Sequence, residues 1–211
     1  MGSLLLTAIA ITEVHQMIGA TGGVAERVRP AAAALLPAEP AKRPGLLSRF
    51  RGRPEPVADP GFTADDLDTV LAGRYPEPDR AGACVRALAA MVTGRAWGSH
   101  RLDITTKQLE DFDFSMARAG VPSAVGLERL LESDAGFGTA PTSELRICAI
   151  DHHQVEAVRA QLAGVTLDQP DHAELLAGMV DFFAGYPAWT AEAAAAGRPE
   201  PALVGFWQAA Q

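Results

Sequence analysis

The chain has 211 residues, 48% of them apolar and 21% charged, with a formal net charge of −8. That length suits one domain, and those fractions support a real core and exclude global disorder. The acidic balance argues against general nucleic-acid binding, which needs a positive surface to displace counterions from phosphates, and it favours neutral or basic partners.

In chain order, Ser3 to Ile11 reads as a buried strand. Thr12 is the expected cap of a short helix carrying Val14, Met17 and Ile18, which Gly19 ends. No basic residue precedes this apolar run and Glu13 follows it, a poor match to a signal peptide. No apolar run approaches the roughly 20 residues needed to span a bilayer, so no membrane partner and a cytoplasmic location are expected. A second helix is expected from Val24 to Leu36, interrupted or entered at Pro30.

Residues 38–61 differ in kind. Five prolines remove amide donors and block regular pairing, and five basic residues stand against three acidic ones. The stretch reads as an exposed Pro/Arg-rich insertion. Its Arg49, Arg51 and Arg53 are a candidate basic docking segment for an acidic partner, nucleic acid or membrane. A solvated loop is the simpler reading.

Thr63 caps a helix whose first turn holds Asp65 and Asp66, where the helix dipole favours acids. That placement explains Asp65, Asp66 and Asp68 more simply than a metal site does. Pro78 to Gly94 reads as a central buried helix with Cys84, Val85, Leu88, Met91 and Val92 at helical spacing. Ala96 to Ile104 is a loop or short strand that holds His100 and Asp103. Leu109 to Leu131 is helical in pieces, broken at Gly120, Pro122 and Gly126. Within it, Glu110, Asp111 and Asp113 alternate with Phe112 and Phe114. The pattern fits a solvated acidic face over core aromatics, and it is the most attractive acidic surface for a partner.

Gly136 to Gly164 combines a Gly/Pro-rich loop, the apolar strand RICAI, a cap at Asp151 and an amphipathic helix. Strand alternation gives Cys148 and Ile150 one face and Ile147 and Ala149 the other, so both faces are apolar and Cys148 belongs to the core. His152 and His153 are adjacent on a helix, about 100° apart, and so do not readily chelate one ion together. Asp171 to Ala184 is a further helix, Pro187 breaks it, Trp189 to Ala196 continues, and Ala202 to Trp207 is a C-terminal strand. The expected class is α+β, with helices around a small mixed sheet formed by the N-terminal strand, the strand near 145–150 and the C-terminal strand.

The chemistry-bearing motifs are sparse. The two cysteines, Cys84 and Cys148, form neither a disulfide framework nor a CxxC pair. There is no P-loop, no GxSxG elbow and no GxGxxG after a strand. No metal and no cofactor is expected.

The helix AGACVRALAAMVTG, ending in Met91, Val92, Thr93 and Gly94, resembles the YfbM-like family of bacterial proteins (domain of unknown function 1877). Gly136, Phe137, Gly138 and Val155 fit that family's Gly-Tyr-Gly-Pro-Ala stretch and the helix after it, with Thr139 in place of Pro. The resemblance implies a compact α+β fold and carries over no catalytic residue. Val85, Arg86 and Leu88 stand where the family has aromatic and His positions.

Two functions are compatible with these residues. The first is a non-catalytic protein-binding domain, an immunity-like protein that neutralises a bacterial toxin, with Glu110, Asp111, Asp113, His152 and His153 as candidate binding residues. The alternative is a small-molecule enzyme using His152, His153 or His100 as acid/base beside the loop at 136–142.

Overall fold

Alternation along β1 (Ser3–Ile9) sends Leu4, Leu6 and Ala8 into one apolar cluster and Leu5 and Ile9 into another. This strand is therefore buried on both faces, and the whole fold is built outward from it. The computed structural model describes residues 2–36, 61–132 and 145–209. The 38–61 insertion, with Arg49, Arg51 and Arg53, lies outside the described residues except for Gly61, and so does the loop at 136–142.

Helices α1 (Ile11–Met17), α2 (Gly23–Ala33), α3 (Ala64–Leu71) and α4 (Ala81–Thr93) follow β1. Then come β2 (Gly98–Asp103), α5 (Thr106–Arg118) and α6 (Leu127–Glu132). The chain continues through β3 (Leu145–Ile150), α7 (His152–Leu162), α8 (Pro170–Ala184), α9 (Tyr186–Ala195) and β4 (Ala202–Gln208). The sheet order is β2-β1-β4-β3. The buried apolar residues of α1 to α4 belong to the cluster with Leu5 and Ile9, and those of α5 to α8, with Tyr186 of α9, to the cluster with Leu4 and Leu6. The result is an α+β sandwich with helices on both faces of the sheet.

The three expected strands share one sheet, but it is antiparallel throughout rather than mixed, and β2 adds a fourth strand. Both cysteines are buried, as expected. Cys148 lies over Gly205 of the neighbouring strand, where an added Cβ would stand 2.6 Å from the sulfur. A glycine at that register position makes room for the thiol.

Local signals place several helix starts. At α3, Thr63 and Asp66 form a capping box, and at α7 Asp151 and Gln154 form another. Each such cap is worth about 1 kcal/mol. The cap expected at Thr12 is not used. β1 ends at Ile9 and α1 begins at Ile11, so Thr12 lies inside the helix. Pro187 does not extend a break either. It occupies the first turn of α9, where a missing N–H costs nothing.

Candidate interaction surface on helix α5

Helix α5 opens on a capping box between Thr105 and Gln108. Leu109, Phe112 and Met116 recur at helical spacing and are buried. Two polar contacts pin the helix further. The Ser115 hydroxyl lies 2.8 Å from His172 Nδ1 at the start of α8, and the His172 ring meets the edge of Phe112. Asp113 accepts hydrogen bonds from the backbone N–H of Leu127 at 2.8 Å and of Glu128 at 2.7 Å.

Asp113 is therefore not a docking residue of a free acidic patch. It is half-buried and caps the start of α6, where intrahelical partners are missing for the first N–H groups. Burial pushes its carboxyl up, against the pull of the two backbone hydrogen bonds. The expected surface shrinks to Glu110 and Asp111, both exposed. Phe114 is also not the core aromatic that alternation implied. It is 66% exposed, whereas Phe112 is buried.

Helical spacing assembles these side chains. Asp111 lies three residues and Glu110 four residues before Phe114, so both carboxylates border the ring. Lys107 and Arg118 stand one turn beyond, at the two ends of the same stripe. An exposed aromatic bordered by two acids can accept an apolar anchor beside basic side chains.

The histidine candidates fall elsewhere. His153 is exposed, His152 is half-buried with its Nδ1 enclosed and unpartnered, and the ring centroids are 6.0 Å apart. A cavity of about 440 Å³ lies beside the same helix, but its α7 lining is Gln154, Ala157 and Val158 among the described residues. Glu110 and Asp111 lie on α5, whereas His152 and His153 open α7. His100 does not pair with Asp103 either, since residues three apart on a strand face opposite sides. It stacks on Phe182 with Nε2 enclosed, and burial lowers its pKa despite the opposing charge of Asp181. Among the described residues, no group of three or more His, Cys, Asp or Glu is placed to hold a metal ion.

Asp66 is a second case of an acid drawn inward. Burial alone would raise its pKa, but hydrogen bonds from Arg80 and Thr63 outweigh that and hold the carboxyl below its ordinary value. Its oxygens are fully engaged, so a structural role accounts for it.

Burial pushes the Cys148 thiol up to about 12, and it pushes Cys84 up as well. Thiolate is the reactive form, so burial disfavours reaction at both sulfurs. Titration of the native protein with a chromogenic disulfide at pH 8 is expected to show no fast-reacting thiol, and both thiols after denaturation. A fast-reacting thiol in the native protein would contradict this.

Sequence periodicity gave no sign of a further polar hub. Glu13 is 8% exposed and accepts from Arg198 Nε and Nη2, both at 2.9 Å, and from Arg95 Nη2 at 3.2 Å. Arg198 also donates to the Arg95 carbonyl and lies 4.2 Å from the centre of the Trp97 ring. The hub ties α1 to the chain segments entering β2 and β4.

No protein-family model, no curated protein and no solved structure shows a significant match to this chain. Among the described residues, no helix is long and apolar enough to cross a membrane.

Proposed function

We propose that this protein is a non-catalytic binding domain whose contact surface is the outer face of α5. The observation that carries this reading is Phe114, a large aromatic 66% exposed on a helix held from behind by core packing, the Ser115–His172 contact and the Asp113 cap. Aromatic anchors on rigid elements are the groups that dominate protein–protein binding energy. The bordering Glu110 and Asp111 and the net charge of −8 select a basic protein partner. Neutralising a bacterial toxin, in the manner of an immunity protein, is the specific role proposed. A small acidic domain suits that role. Kinship with the YfbM-like proteins belongs to the same proposal and rests on the residues that resemble them.

The test is affinity capture from native-host lysate with two baits, the wild type and the triple variant Glu110→Lys, Asp111→Lys, Phe114→Ala. The wild type is expected to recover a basic protein in stoichiometric amount, released by raised salt, and the variant to lose it. Equal recovery on both baits, or no stoichiometric protein on the wild type, would overturn the reading.

A further inference from the structure

Among the described residues, β2 is an edge strand with one side unused. The Ile104 N–H donates to the Gly2 carbonyl at 3.1 Å, in register with the β1–β2 ladder. Backbone direction alternates along a strand, so the even-numbered residues of β2 bond to β1. Ser99, Arg101 and Asp103 then turn their N–H and C=O groups to the open side. Those groups bond to no other described residue. Their three side chains are exposed, while Leu102 between them is buried. An open edge of this kind is a template for strand addition.

We propose that a second copy of this chain pairs with β2 in antiparallel fashion, about a two-fold axis at Leu102, joining two four-stranded sheets into one. The charge pattern selects both occupant and register. With the axis at Leu102, each Arg101 stands opposite an Asp103 of the other copy, twice over. These are positions whose backbone groups point outward, so the same two residues exchange the new hydrogen bonds. Sliding the axis to Arg101 would set the two arginines opposite each other, which is unfavourable. Sliding it to His100 would set Arg101 opposite Ser99 and lose both ion pairs. Charges that otherwise keep an edge strand solvated thus become self-complementary in one register. The contact is isologous, as closed two-fold assemblies require. It lies on an edge strand rather than on α5 and stands independently of the partner proposed there.

Sedimentation equilibrium over a micromolar to millimolar range tests this with four proteins. The wild type is expected to dimerise. Arg101→Asp and Asp103→Arg, each placing like charges opposite, are expected to weaken dimerisation by about tenfold or more. The double reversal R101D/D103R is expected to restore it. Amide exchange gives a second readout that needs no variant. Arg101 and Asp103 should slow as concentration rises, while Ser99, beyond the paired segment, should not. A wild type that stays monomeric to millimolar concentration would overturn the proposal. So would single reversals that dimerise like the wild type, or exchange at Arg101 and Asp103 that ignores concentration.

Discussion

Tyr186→Ala is expected to lower the unfolding free energy by about 4 kcal/mol. Tyr186 is 0% exposed, stacks on Phe183 and meets Phe182 and Trp189 edge to face. Truncating it removes the apolar area of the ring and leaves a cavity that neighbours from two helices cannot collapse to fill. The hydroxyl contributes little of this. It donates to the Ala202 carbonyl at 3.2 Å, so Tyr186→Phe is expected to cost only about 1 kcal/mol. Denaturant unfolding of the two variants separates the ring from the hydroxyl. A Tyr186→Ala loss below about 1 kcal/mol would show that the aromatic cluster does not hold α8 and α9 to the sheet.

Glu13→Ala comes second, at about 3 kcal/mol. Removing the carboxylate leaves two guanidinium groups facing each other across its place, with Arg198 only 18% exposed. The partial exposure of Arg95, at 33%, keeps the effect at the lower end of what breaking a buried pair costs. Arg198→Met combined with Glu13→Ala should cost less than the two single changes added together, because the second change removes the charge that the first one stranded. Strict additivity in denaturant unfolding would mean that the two side chains do not act as a unit.

The parts of the fold that the sequence made legible are those governed by near neighbours. The caps at Thr63 and Asp151 act over three residues, and the apolar alternation of β1 and β3 acts over two. The core of α4 repeats every three to four residues, and all of these were readable. What failed depended on distant segments. Asp113 looked like a surface acid because α6, which it caps, begins fourteen residues later. Phe114 looked buried because Phe112 beside it is, although the two point to different sides of a helix. His100 and Asp103 lie three residues apart in a stretch readable as loop or strand, and only the formation of β2 shows that they face opposite sides. The Glu13 hub joins residues up to 185 positions apart, beyond the reach of any periodicity. The candidate site was therefore half visible. Glu110 and Asp111 could be read as solvated acids on a helix, but the exposed Phe114 beside them could not.

Hydrogen exchange across α5, with and without the captured partner, tests the proposed function most directly. Slowed exchange concentrated on residues 107–118 is the predicted result. A complex that protects another surface and leaves 107–118 unchanged would contradict it.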